Sequence, residues 1–147
     1  MGPRGIVRRR RLAAALGAGV VLAAAGAASA ANHVTTGSYS GTTSERIAVT
    51  FKVASGGHAI TNFKTQIGYN GKCGQGGGPG YNVVISRIEI SPSGSFSKRT
   101  TLKLLQFHAP GEVSGKASGD KVTGKVVQFL HGKVNKCYVE TFTARIS

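Results

Sequence analysis

The strongest constraint on the fold is a period-two alternation of apolar and polar residues, which recurs from Ala31 to the end of the chain. No window of twelve residues in this part has the i, i+3, i+4, i+7 apolar spacing of an amphipathic helix. The clearest strand is predicted over residues 44–54, where the apolar face carries Ile47, Val49, Phe51 and Val53. Because one face of each strand is expected to be buried and the other wet, the domain is predicted to be all-β.

Clusters of turn residues divide this part of the chain into about seven to nine short strands. After residues 44–54, strands are predicted over residues 59–69, 81–90, 95–98, 100–108, 113–116, 121–130 and 135–146. The connections are too short for crossover helices, which favours a single antiparallel β-sandwich over residues 31–147, with a β-barrel as the alternative. Residues 74–80 are predicted to form a surface loop, because they hold five glycines and a proline.

Residues 1–30 have the three parts of a secretory signal peptide: the arginine run of residues 8–11, an apolar stretch, and the ending Ala28-Ser29-Ala30. Cleavage is predicted between Ala30 and Ala31, so we expect a secreted or cell-envelope protein. The residues just after this point are expected to be flexible. A retained anchor is the alternative, but the stretch is mostly Ala and Gly, and no transmembrane span is predicted in the mature chain. The arginine run fits both the general and the twin-arginine export route.

The two cysteines, Cys73 and Cys137, are predicted to form a disulfide, because their number is even and an exported protein meets an oxidising compartment. The rival interpretation is a metal site that adds His108 and His131, but the short spacings of such sites are missing from the sequence. In the last strand, Cys137 falls on the face opposite Tyr138 and Phe142. Either the disulfide lies outside the core or a bulge changes the register near Cys137.

The chain carries 19 Lys and Arg against 5 Asp and Glu, and without residues 1–30 the count would be 14 against 5. This excess favours anionic partners such as wall polymers, lipid head groups or nucleic acid. The basic residues are scattered along the sequence, so solubility is the simpler explanation. Since alternate strand residues face solvent, a broad positive surface is still expected. Its lysines would be Lys52, Lys64, Lys103, Lys121 and Lys125.

Few residues suit catalysis. The sequence has no Gly-x-Ser-x-Gly elbow, and cysteines bonded to each other cannot act as nucleophiles. Glu140 stands among apolar residues of the last strand, where an inward carboxyl would suit acid catalysis, although a position facing water is the simpler interpretation. A small secreted hydrolase built from Glu140 and a turn histidine, His58 or His131, is the alternative function. No catalytic residue, cofactor or metal site is predicted.

Several landmarks occur in a fixed order along the chain: Gly37-Ser38-Tyr39-Ser40-Gly41-x-Thr43, Cys73, Gly94-Ser95-Phe96-Ser97, the hairpin of residues 115–124, Cys137 and Phe142-Thr143-Ala144-Arg145. In this order they resemble a loose set of small secreted bacterial two-cysteine all-β proteins. The resemblance covers nearly all of the mature chain and implies the fold and export. That set has no established activity, so the resemblance carries over no functional residue.

Together these features predict an exported, non-enzymatic binding or surface-associated module. Its partner is expected to be an anionic polymer or an envelope protein.

The first prediction concerns the mature terminus. If the Ala28-Ser29-Ala30 ending is the cleavage site, intact mass spectrometry of the exported protein will give a chain that begins at Ala31. A mature species that keeps residues 12–21 would contradict this assignment.

Overall fold

The computed structural model describes residues 32–68, 73, 80–130 and 136–147. They contain eight strands: β1 (Gly37–Thr43), β2 (Ala48–Val53), β3 (Ala59–Ile67), β4 (Tyr81–Glu89), β5 (Ser95–Leu104), β6 (Phe107–Ser118), β7 (Lys121–Phe129) and β8 (Lys136–Ile146). Each strand pairs antiparallel with the next one in the chain, and β8 pairs antiparallel with β1. The sheet therefore closes into an up-and-down barrel.

The all-β class and the barrel alternative are confirmed. The strands form one closed sheet, whereas the favoured sandwich would have two packed sheets. The closing pair runs from Tyr39 opposite Ile146 to Thr43 opposite Phe142. Both architectures bury one face of every strand, so alternation alone does not distinguish them. The contact between the first and last strands decides the question.

The barrel interior is filled by inward side chains from all eight strands. At its centre, four aromatic rings follow one another in the order Tyr39, Phe51, Phe63 and Phe142. The centroids of successive rings lie 5.2, 5.8 and 5.5 Å apart. Such pairs add about 0.5–1.5 kcal/mol each beyond their burial. Because the rings belong to β1, β2, β3 and β8, this row links the first strand to the last through the interior.

Residues 32–36 cover the end of the barrel at which the chain terminates. Val34 is buried and bridges to Gly119 in the β6–β7 turn. Thr35 N donates to Gly119 O, and Gly119 N donates to His33 O, each at 2.8 Å. The expectation of a flexible start is therefore wrong for these residues, because backbone hydrogen bonds and a buried valine hold them in place.

The largest departure from the predicted strands is a turn inside residues 100–108. Leu105 and Gln106 form a two-residue turn that joins β5 to β6. Neither is a usual turn residue, so the sequence carried no signal for it. Pro110 and Gly111, which lie between the predicted strands 100–108 and 113–116, belong to β6. Pro110 is tolerated there because β6 begins to pair with β7 only at Gly111, so its missing N–H breaks no hydrogen bond to β7.

The predicted disulfide between Cys73 and Cys137 is present, with Cα atoms 5.2 Å apart and a sequence separation of 64. Both of the alternatives for its placement contribute. Cys137 follows the outward parity of β8, and the register of β7 with β8 shifts beside it, between Gln128 and Phe129. Closing a loop of this length contributes about 4 kcal/mol in the chain-entropy model. Residues 74–79 of the predicted glycine loop lie outside the described residues.

We call the end of the barrel that carries this bond the disulfide end. The antiparallel order brings to it the β1–β2 turn, the end of β3, the β5–β6 turn and the start of β8.

Gly41 is required where β1 approaches β8 at the closing seam. A Cβ at this position would lie 1.9 Å from Thr143 O and 2.6 Å from the Cα of Ala144. Both are backbone atoms, which cannot move aside without separating the two strands.

Gly41→Ala is therefore expected to destabilise the barrel by about 3 kcal/mol, the upper part of the range for overpacking. Urea unfolding will measure the change. Thr42→Ala is the control, because the side chain of this neighbouring residue is exposed. Its free energy of unfolding is expected to stay within about 0.5 kcal/mol of the parent. Equal stability of the two variants would contradict the steric role of Gly41.

Candidate functional site

The acidic side chains of the barrel are already engaged. Three of them form ion pairs with arginine: Glu89 with Arg87 at 2.5 Å, Glu112 with Arg99 at 3.7 Å and Asp120 with Arg145 at 3.3 Å. The other two, Glu45 and Glu140, both contact the hydroxyl of Tyr138. The exposed carboxylate that no arginine pairs with is therefore Glu45.

The remaining basic side chains of the described ranges form no ion pair with a described carboxylate. They are Arg46, Lys52, Lys64, Lys98, Lys103, Lys116, Lys121, Lys125 and Lys136. Surface ion pairs are worth little, so the three arginine pairs also stay available to a stronger anionic ligand. The outer wall is thus positive without a compensating set of acids.

Two of these lysines flank a shallow groove on the outer wall of β6, β7 and β8. Opposite residues of an antiparallel ladder project from the same face. One row places Ser114 beside Lys125 and Thr141, and the next places Lys116 beside Thr123 and Thr143. We call these six side chains the lysine–threonine groove; all of them line one concave surface. Its lining contains hydroxyl and ammonium groups and no carboxylate.

The floor of the groove is a pair of glycines. Gly115 and Gly124 lie opposite each other and face the interior. A Cβ on Gly115 would be 2.7 Å from the ring of Phe96, and a Cβ on Gly124 would be 2.6 Å from the ring of Phe142. The two rings thus occupy the space that side chains would take. Both rings also line the groove, so its floor combines glycine backbone with two aromatic rings.

A second surface of similar chemistry lies on β1, β2 and β3. Its outward side chains include Ser40, Thr50, Lys52 and Lys64. Across the closing seam, Ser40 lies opposite Arg145, which in turn lies opposite Lys121 on β7. Basic and hydroxyl side chains therefore continue around the wall from one surface toward the other.

The five lysines expected to project from the sheet do so. Four are exposed and Lys125 is half-buried. Sequence reasoning missed Lys116 as a partner of Lys125, because nine positions separate them in the sequence. The sequence does carry a signal, because Gly115 and Gly124 lie at equal distances from the β6–β7 turn. A hairpin that places these two glycines opposite each other also brings their neighbours Lys116 and Lys125 close together.

Glu140 does not face water, so the simpler interpretation of this residue is wrong. It is 1% exposed and follows the inward parity of β8 with Tyr138 and Phe142. Its Oε2 accepts a hydrogen bond from Gly68 N at 3.1 Å, while Oε1 has no hydrogen-bond partner among the described residues. Among the described residues the carboxyl group is thus hydrogen-bonded through Oε2 alone, inside the disulfide end of the barrel.

Tyr138 connects this buried carboxyl to a surface one. Its hydroxyl donates to Glu45 Oε1 at 2.5 Å and lies 3.5 Å from Glu140 Oε2. Burial, followed by the hydrogen bond to Glu45 and the charges of the two glutamates, raises the pKa of Tyr138 well above its ordinary value. The phenol therefore stays protonated and remains a donor between two acceptors.

The structure does not assemble the alternative hydrolase site from the described residues. His58 lies in the β2–β3 turn, at the end of the barrel away from Glu140, and His131 lies outside the described residues. Both sulfurs of the rival metal site are in the disulfide. Within residues 32–68, 73, 80–130 and 136–147, His, Cys, Asp and Glu form no group of three or more that could hold a metal ion.

Comparison with known proteins finds no matching family model, no matching curated protein and no matching solved structure. The resemblance to small secreted two-cysteine proteins stays a prediction. The described part of the chain also has no helix of the length and apolarity that crossing a membrane requires.

The raised pKa of Tyr138 predicts a pH dependence of stability. A group whose pKa is higher in the folded than in the unfolded state stabilises the fold below its unfolded pKa, here about 10. This contribution is lost as the pH rises through the folded pKa. The stability difference between the parent and Tyr138→Phe is therefore expected to shrink above about pH 10.

Urea unfolding of both proteins at pH 8, 10 and 11 will measure this difference. A difference that stays constant across the series would show that Tyr138 titrates normally in the folded protein.

Proposed function

We propose that this protein is an exported, non-enzymatic binding module that binds anionic polymers through the lysine–threonine groove. The observation that carries the proposal is the groove itself: two lysines among four hydroxyl side chains, with no acid in the lining. Export rests on the predicted signal peptide, and the disulfide is compatible with an oxidising compartment.

The chemistry of the groove suits phosphate, sulfate or carboxylate groups. Lysine ammonium groups attract such anions as point charges, and serine and threonine hydroxyls donate hydrogen bonds to their oxygens. Lys116 and Lys125 are one strand apart and two residues out of register, which puts their Cα atoms about 8 Å apart. A chain with repeated anionic groups can engage both.

The open shape of the groove favours a polymer over a small anion. Small-molecule sites are enclosed clefts that bury most of the ligand. The groove lies on an outer wall, and basic and hydroxyl side chains continue from it around the barrel through Arg145 and Ser40. A polymer gains from each further contact along such a surface, whereas a single anion does not.

The proposal predicts salt-sensitive binding. Affinity for heparin, anionic wall polymer and duplex DNA is expected to fall linearly with salt on a logarithmic scale, because bound counterions are released. Lys116→Gln/Lys125→Gln is expected to weaken binding. For duplex DNA it is also expected to lower the slope of log affinity against log salt concentration by about 1.8, because each of the two lost phosphate contacts contributes about 0.9. Fluorescence anisotropy from 20 to 300 mM salt will measure both quantities.

Lys98→Gln/Lys136→Gln is the matched control, since it removes the same charge away from the groove. The control is expected to keep most of the affinity and slope. An equal loss in both variants would contradict the groove as the site. Salt-insensitive affinity, or none at low salt, would contradict polyanion binding and favour a protein partner.

A further inference from the structure

The β5–β6 hairpin extends beyond the rest of the barrel wall at the disulfide end. The two strands pair with each other up to Leu104 opposite Phe107. On one side, β6 pairs with β7 only from Gly111 onward. On the other side, the β4–β5 ladder has one registered pair, Asn82 with Lys103. The tip of the hairpin, which we define as residues 104–107, therefore projects past its neighbours among the described residues.

This projecting tip is apolar at its apex. Leu105 is 85% exposed and Phe107 is 52% exposed. Leu104 beside them packs partly against the core. These two large apolar side chains are exposed together at one turn, whereas the exposed hydrophobic residues of soluble proteins are usually scattered singly.

The turn also carries backbone strain. Leu105 has a φ of 50°, in the left-handed region that bulky residues rarely adopt. In two-residue hairpins such a position is usually glycine or asparagine, which would be more stable there. A leucine at this position costs stability and adds exposed apolar area. Strain of this kind concentrates at functional segments.

Positive charge lies beside the tip and elsewhere at the same end of the barrel. Lys103 is exposed, lies beside His108 in the ladder and forms no ion pair with a described carboxylate. Arg46 and Lys136 lie at the same end of the barrel. The exposed acid of this end, Glu45, accepts a hydrogen bond from Tyr138.

We infer that the β5–β6 hairpin docks the protein on membranes that contain anionic lipids, by inserting Leu105 and Phe107 among the acyl chains. Apolar side chains at the apex with basic groups behind them match the layers of such a membrane, where the hydrocarbon lies beneath charged head groups. A protein partner would need a pocket for the two side chains and an interface of roughly 800 Å² on each partner, which a two-residue turn does not supply.

The absence of tryptophan from the chain makes a direct test available. In Phe107→Trp the single indole is expected to shift its emission to shorter wavelength when vesicles of 70% phosphatidylcholine and 30% phosphatidylglycerol are added. Brominated acyl chains are expected to quench it. Val139→Trp, at an exposed apolar position on β8, is the control and is expected to show neither effect.

Co-sedimentation with the same vesicles will test the parent side chains. Leu105→Gly/Phe107→Ser is expected to reduce binding at least about tenfold, because it removes two inserted apolar groups. Val139→Ser is expected to bind like the parent. Leu105→Gly alone is expected to melt no lower than the parent, which separates lost docking from lost folding.

Parent-like vesicle binding by Leu105→Gly/Phe107→Ser, or an indole at position 107 that vesicles leave unchanged, would overturn the inference. A parent dimer that dissociates in this double variant without any vesicle effect would assign the tip to a second copy of the chain. Heparin binding by the double variant is expected to match the parent, so this inference and the proposed function succeed or fail separately.

Discussion

The pairing of β1 with β8 is the constraint on which the rest of the structure depends. It pairs the first strand with the last, which removes the two free edges that an open sheet of these strands would present to aggregation. In the closed barrel every strand has one face toward the interior and one toward solvent. The row of four aromatic rings links β1 to β8 through the interior, by way of β2 and β3. At the seam itself, Gly41 lets the backbones of the two strands approach.

Closure places most of the basic and hydroxyl side chains on the outside. The interior is occupied by aromatic and aliphatic side chains, so the basic and hydroxyl residues lie on the outer wall and at the barrel ends. At Gly115 and Gly124 no side chain separates the wall from the interior, and the rings of Phe96 and Phe142 pack directly beneath them. The same two rings line the lysine–threonine groove, so the groove and the core are in contact there.

Local rules of folding are broken mainly at the disulfide end. Glu140 is a buried carboxyl, Leu105 has a left-handed backbone and Phe107 is exposed beside it. A barrel selected only for stability would place an apolar residue, a glycine and a polar residue at these positions. Violations of this kind are expected where function constrains the sequence. The opposite end, covered by Val34 and its neighbours, follows the rules instead.

By itself the sequence determined the all-β class, most of the strands and the disulfide, since alternation, turn residues and two cysteines are local or countable signals. Residues such as Val49, Phe51 and Val53 are buried as their alternation predicts. The tertiary structure alone decided that the sheet closes, that Glu140 points inward and that Lys116 joins Lys125. The Leu105 turn also came from the tertiary structure, because β5 and β6 fold back on each other without a turn residue to mark the place. Closure and the burial of Glu140 depend on contacts between residues far apart in the sequence, such as β1 with β8 and Glu140 with Gly68. The Leu105 turn and the placement of Lys116 depend on the register in which neighbouring strands pair, which no single strand specifies.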